Sequence, residues 1–105
     1  MAFSIDRHRA EDGTVRLILR GELDIGTQHR LQAALHAEER GDTADLVVVT
    51  DQLDCLDSSS LRVLFDGFES ARRAGRRFAV TPGHTHVHHL LRISGLLAHQ
   101  AAVTS

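Results

Sequence analysis

Leu46-Val47-Val48-Val49-Thr50 decides the fold, because an unbroken apolar and mostly β-branched run is typical of a strand buried on both faces of a parallel sheet. Segments with helical spacing of apolar residues flank this strand. The first has Thr27 as its predicted N-cap and ends before Gly41, and the second follows Asp57-Ser58-Ser59-Ser60 and ends at Gly75. The pattern predicts two βαβ units that share the central strand.

Shorter segments complete the predicted sheet. Phe3 to His8 and Thr14 to Arg20 alternate apolar and polar residues around a turn, which predicts an antiparallel hairpin. Arg77 to Thr81 is a further predicted strand, His84 to Ser94 a third helix, and Ala101 to Val103 the candidate for a last strand. The expected fold is α/β, with a mixed β-sheet of four to five strands and helices packed on it.

Length and composition bound the possible functions. A chain of 105 residues has room for one core, so residues 1–105 are expected to form one domain. Apolar residues at 42% and charged residues at 25% exclude a disordered chain, and the apolar runs are too short to cross a bilayer.

A net charge of -2 argues against nucleic acid or an anionic membrane as partner. Asp6 and Arg7 interrupt the N-terminus too early for a secretory signal, and Cys55 is the lone cysteine, so a cytoplasmic location is expected.

Polar side chains follow the predicted parallel strands. Right-handed crossovers bring the loops after these strands to one edge of the sheet, where open α/β folds bind ligands. Those loops carry Glu22 and Asp24, then Asp57 and Ser58, then His84. Ser58 lies at the predicted start of a helix, where unpaired amides favour an anion, although capping by Asp57 or Ser58 explains the same pattern.

Two enzymatic or metal-binding alternatives use the histidines. Ser58 as a nucleophile with His84 as its base would make a serine hydrolase, but no Gly-x-Ser-x-Gly motif surrounds Ser58. His84 and His88 have the i, i+4 spacing of helical metal ligands, but no glutamate lies within the cluster and no cysteine is nearby to complete a site. The sequence therefore predicts neither a metal nor a cofactor.

Three short segments of the sequence match known motifs, and the spacing between them can be matched without large insertions or deletions. They are Gly21-Glu22-Leu23-Asp24 followed by Thr27 and Leu31, Leu56-Asp57-Ser58-Ser59 followed by Leu61 and Val63, and Ala71-Arg72 with Gly75 and Ser94-Gly95-Leu96. Together they resemble the signature segments of the STAS-domain anti-sigma factor antagonists, and the resemblance covers nearly the whole chain.

The resemblance implies a switch protein that is not an enzyme. Similar proteins bind an anti-sigma factor, which is also a serine kinase of the GHKL ATPase type, and so release a sigma factor. The kinase phosphorylates the serine after the signature aspartate, which abolishes binding, and a PP2C-type phosphatase restores it. By position that serine is Ser58. The residues that the resemblance assigns to partner binding are Glu22, Asp24, Thr27, Asp57, Ser58, Ser59 and Ser60.

Two features depart from the family pattern. Ser60 stands where the family commonly has glycine, and its side chain is expected to hinder the approach of a kinase. This departure leaves open a STAS module that is not phosphorylated and acts as a scaffold or small-ligand sensor in a signalling assembly. The chain ends at Ser105, so the C-terminal helix of the family is expected to be missing, and a monomer or weak homodimer is expected.

Overall fold

The computed structural model describes residues 2–96, in which four strands and three helices follow one another. They are β1 Ser4–Arg9, β2 Val15–Leu23, α1 Gln28–Arg40, β3 Asp45–Leu56, α2 Ser58–Arg73, β4 Arg77–Val80 and α3 Thr85–Ile93. The last strand predicted at Ala101 to Val103 lies outside the described residues.

The four strands form one mixed sheet in the order β1-β2-β3-β4. β1 and β2 are antiparallel, whereas β3 runs parallel to both β2 and β4, as the two βαβ units predict. Leu17, Val48 and Val80 lie side by side across the parallel strands, and each is almost completely buried. The expected α/β fold with a mixed sheet is therefore confirmed.

One apolar core joins the sheet to all three helices. The helices contribute Leu31 and Leu35 from α1, Val63, Leu64, Phe68 and Ala71 from α2, and Val87 and Leu91 from α3. These residues recur at the three- to four-residue spacing of a helix face, which explains why the sequence folds as helices at these places. Within residues 2–96, no helix has both the length and the apolar character needed to span a membrane.

β2 and β3 both extend further than their sequences predict. β2, which was predicted to end at Arg20, continues to Leu23, and β3, which was predicted to end at Thr50, continues to Leu56. Pairing of Gly21 with Leu53 and of Leu23 with Leu56 holds the two extensions together. Buried leucines in this pairing outweigh the local preference of Gly, Asp and Gln for turns.

Gly21 makes the extension possible. Its φ is +90°, and a Cβ atom at this position would lie 2.2 Å from the carbonyl oxygen of Ala2. Only glycine fits both the conformation and the close approach of the N-terminal segment. The register shifts on either side of this glycine, between Ile18 and Arg20 and between Gly21 and Glu22.

Cys55 lies in the extended part of β3. It is half-buried and lies opposite Glu22 in the pairing with β2. Its neighbour Leu56 is almost completely buried, because alternation along a strand sends neighbouring side chains to opposite faces.

Candidate functional site

The loops after β2 and β3 meet at the carboxyl ends of these two strands. The amide of Asp57 donates to the carbonyl oxygen of Leu23 at 3.1 Å. In return, Asp57 Oδ2 accepts from the amide of Ile25 at 3.1 Å. The prediction that Asp24 and Ser58 lie in neighbouring loops is therefore confirmed.

Asp57 caps α2 and organises the loop. Its Oδ1 atom accepts from the amide of Ser60 at 3.0 Å, from Ser60 Oγ at 2.9 Å and from Ser59 Oγ at 2.7 Å. Partial burial pushes the pKa of Asp57 upward, but the hydrogen bonds from Ser59, Ser60 and Ile25 outweigh this effect and hold the pKa below its ordinary value. The carboxylate is thus charged at neutral pH and accepts hydrogen bonds through both oxygens.

The three consecutive serines have different surroundings. Ser58, the first residue of α2, is exposed, and its hydroxyl makes no hydrogen bond within the described part of the chain. Ser59 is also exposed, but its hydroxyl lies within hydrogen-bonding distance of Asp57 and of Gln28 Oε1, the latter at 3.1 Å. Ser60 is completely buried. Of the three hydroxyls, that of Ser58 alone is both exposed and unengaged.

The buried position of Ser60 argues against the expected obstruction. Its side chain points inward, with Oγ at 2.9 Å from Asp57 Oδ1 and at 3.3 Å from both the Leu23 carbonyl oxygen and Gln28 Oε1. The side chain has no exposed surface in this structure. The residue instead joins the start of α2 to the end of β2 and the start of α1.

The loop between β2 and α1 is held by its own polar groups. Asp24 Oδ1 accepts from the amides of Gly26 at 2.9 Å and Thr27 at 3.2 Å. Thr27 Oγ1 donates to the Glu22 carbonyl oxygen at 2.9 Å and accepts from the Asp24 amide at 3.0 Å. Thr27 is the N-cap residue of α1, as predicted, but its side chain makes no capping hydrogen bond, because the hydroxyl turns back into the loop.

The sequence reasoning missed Ile25. This residue is 76% exposed and lies in the loop between β2 and α1. Its backbone amide donates to Asp57 Oδ2. The available signal was a single large apolar residue between Asp24 and Gly26, two residue types that favour turns and surfaces.

His84 does not join the site formed by Asp24 and Asp57. β4 ends opposite Val48, so the loop after it reaches β3 near Asp51, where His84 Nε2 lies 2.6 Å from the Asp51 carbonyl oxygen. The bond between Ser58 and His84 that a serine hydrolase needs is not formed. His86 lies nearer, with Nε2 accepting from the Leu56 amide at 3.3 Å.

The histidine-rich start of α3 therefore contacts the backbone of β3. Across residues 2–96, no group of three or more histidine, cysteine, aspartate or glutamate side chains is arranged to hold a metal ion. His84 and His88 share the predicted helical spacing, but His84 precedes the helix as its N-cap residue and is bonded to Asp51.

Comparisons with known proteins identify the family. The family model described as "Mlab, STAS domain" matches residues 7–98. No curated protein matches the sequence. The fold is similar to that of the anti-sigma factor antagonist SpoIIAA in its unphosphorylated form, with a TM-score of 0.78 and 20% identity over 90% of this chain and 84% of the other.

Two further solved structures show the same fold. An anti-sigma factor antagonist from Mycobacterium paratuberculosis matches with a TM-score of 0.77 and 21% identity over 90% of this chain and 80% of that one. The phosphorylated form of the Bacillus cell fate determinant SpoIIAA matches with a TM-score of 0.71 and 18% identity over 89% and 85% of the two chains. With the family model spanning most of the sequence, the chain belongs to the STAS domain family.

Proposed function

We propose that this chain is an anti-sigma factor antagonist, a cytoplasmic protein-binding switch that is controlled by phosphorylation of Ser58 and is not an enzyme. Membership of the STAS family and the likeness to solved antagonists support this role. The observation that carries it is the sorting of the three serines, since Ser58 alone offers an exposed and unengaged hydroxyl to a kinase.

The partner in this proposal is an anti-sigma factor that is also a serine kinase of the GHKL type. Binding this factor releases a sigma factor. Phosphorylation joins Ser58 Oγ to the γ-phosphorus of ATP, breaks the bond to ADP and releases the hydroxyl proton. A PP2C-type phosphatase then hydrolyses the phosphoserine to serine and inorganic phosphate.

Phosphorylation is expected to change the surface more than the fold. The phosphate would lie at the start of α2, where the helix dipole and unpaired amides favour negative charge. It adds nearly two charges and three oxygens beside Asp57, however, and a partner packed on these loops would have to desolvate them. The proposed binding surface consists of Ser58 and of residues in the two loops beside it, namely Glu22, Asp24, Thr27, Asp57 and Ser59. Thr27 and Asp57 contribute to it by fixing the loops.

Calorimetric titration with purified anti-sigma factor kinases from the same genome tests this function. We expect the wild type and Ser58→Ala to bind equally, and Ser58→Asp to bind roughly thirtyfold or more weakly, which corresponds to about 2 kcal/mol. Mass spectrometry after incubation with ATP should find one phosphate on the wild type and on Ser59→Ala, the matched control, but none on Ser58→Ala. Equal affinity of the wild type and its fully phosphorylated form would contradict the switch.

A second candidate function is a scaffold or small-ligand sensor without phosphorylation. A cavity of about 220 Å³ favours it, because its lining combines apolar residues, among them Leu35, Leu46 and Phe78, with the basic residues Arg76 and Arg77. Leu46 lies near the start of β3, so this cavity is at the opposite end of that strand from Asp57. If the wild type is folded and no kinase tested transfers phosphate to it, the result would favour the scaffold or sensor function.

A further inference from the structure

We infer that Ile25 is an apolar anchor for the protein partner of the Ser58 site, and that it enters an apolar socket bordered by basic side chains. The inference rests on the proposed function, since it names the chemistry of the surface that binds the same loops. Ile25 and Ile93 are the large apolar residues that stay mostly exposed in the described part of the chain, at 76% and 62%. Ile25 alone lies at the candidate site.

Ile25 is joined to the phosphorylation site through one carboxylate. Its amide donates to Asp57 Oδ2 at 3.1 Å, and Asp57 directly precedes Ser58. The loop that carries Ile25 therefore lies beside the start of α2, where Ser58 is the first residue. Ile93, in contrast, ends α3 and has no such connection to the two loops.

The loop that carries Ile25 is fixed before any partner arrives. The Gly26 amide is bonded to Asp24 Oδ1 at 2.9 Å, and the Gln28 amide is bonded to the Asp24 carbonyl oxygen at 2.8 Å. Thr27 Oγ1 closes the loop by bonding to the Glu22 carbonyl oxygen at 2.9 Å. A fixed loop backbone lowers the entropy cost of binding, so more of the free energy gained by burying Ile25 contributes to affinity.

The charge around Ile25 indicates the rim of the socket. Segments 21–27 and 53–60 contain the carboxylates of Glu22, Asp24, Asp54 and Asp57 and no arginine or lysine. An exposed apolar residue in the same loops as these carboxylates fits an interface that has an apolar centre and a polar rim. Complementarity then requires basic groups on the partner around an apolar centre.

Calorimetry with the same purified anti-sigma factor kinases tests the anchor. Ile25→Ala should raise the dissociation constant at least tenfold, the loss expected for truncation of a central anchor. Ile25→Leu, which keeps an apolar side chain of equal volume, should stay within about threefold of the wild type, and Ile93→Ala, the matched exposed control, within about twofold. Raising the salt concentration should weaken wild-type binding because it screens the charged rim.

The outcomes separate this inference from the proposed function. If Ile25→Ala binds as the wild type does while Ser58→Asp binds weakly, the anchor is overturned and the switch stands. Affinity that is independent of salt would overturn the basic rim of the socket. Failure of the wild type to bind any of the kinases would overturn the proposed function and the anchor with it.

Discussion

Asp57 Oδ2 accepts a hydrogen bond from the Ile25 amide, while Oδ1 of the same carboxylate caps α2 through the Ser60 amide. One side chain thus fixes the loops after two adjacent parallel strands. The local role, capping, is visible from the sequence Asp57-Ser58-Ser59-Ser60. The second role depends on the pairing of β2 with β3, which brings Ile25 within reach.

Asp57→Ala should destabilise the protein by about 1–2 kcal/mol, because it removes the cap and leaves the Ile25 amide without its acceptor. Urea denaturation measures the free energy of unfolding. Asp57→Asn keeps an acceptor oxygen and serves as the control, with a smaller loss. An unchanged midpoint for Asp57→Ala would contradict the role of this carboxylate in holding the two loops.

Ser60→Gly should leave the rate of Ser58 phosphorylation by a bound kinase unchanged, because the Ser60 side chain is buried and does not face the kinase. The same change should cost about 1 kcal/mol of stability through the lost hydroxyl contacts. Incorporation of phosphate over time and urea denaturation measure the two effects. A clear rise in the phosphorylation rate would show that the side chain obstructs the kinase after all.

Gly21→Ala should destabilise the protein by roughly 3 kcal/mol, since it combines a positive φ with a clash of the new Cβ atom against the Ala2 carbonyl oxygen. Gly13→Ala is a matched control, because Gly13 has a similar φ of +91° but open space around its Cβ position. It should cost only about 1 kcal/mol. Thermal unfolding of both variants tests the difference, and equal losses would contradict the close approach.

The Glu38 carboxylate predicts a pH dependence of stability. Hydrogen bonds from Arg7, at 2.6 and 3.1 Å, outweigh partial burial and, with a further bond from Thr43, hold the pKa of Glu38 below its ordinary value of 4.5. A lowered pKa in the folded state means that the stabilisation is complete above 4.5 and is lost as the pH falls through the lower folded value.

Glu38→Gln should therefore cost about 1–2 kcal/mol at neutral pH, a figure reduced for the partial exposure of Arg7, and flatten the fall in stability below pH 4.5. Unfolding by urea between about pH 3 and pH 7, a range that spans the ordinary pKa values of carboxyl groups, measures the change. Glu11→Gln, at an exposed position, is the control and should follow the wild type. A Glu38→Gln profile parallel to that of the wild type would contradict the prediction.

The sequence predicted the topology because its signals there are local and strong. The apolar run Leu46 to Thr50 and the helical spacing on either side of it determine the two βαβ units, and right-handed crossover sets their direction. The neighbouring positions of Asp24 and Ser58 follow from that topology alone. The exposed hydroxyl of Ser58 fits its position as the first residue of a capped helix.

Long-range contacts determined what the sequence did not predict. The extension of β3 to Leu56 depends on pairing with residues thirty or more positions away in the chain, against local turn preferences. The inward direction of Ser60 depends on how α2 is rotated against Leu23 and Gln28. Thr27 has an N-cap residue type, but nearby loop groups provide it with better partners than the helix amides do.

The unequal lengths of β3 and β4 affect local opening of the chain. β4 pairs with β3 only as far as Val48. Beyond Thr50, histidine side chains bond to the backbone of β3: the Asp51 carbonyl oxygen is bonded to His84 and the Leu56 amide to His86. A histidine side chain leaves its hydrogen bond by changing one rotamer, whereas a paired strand has to break several backbone hydrogen bonds together. The Leu56 amide should therefore exchange with deuterium sooner than that of Val48 in the centre of the sheet, and the segment leading into Ser58 should open while the rest of the sheet remains closed.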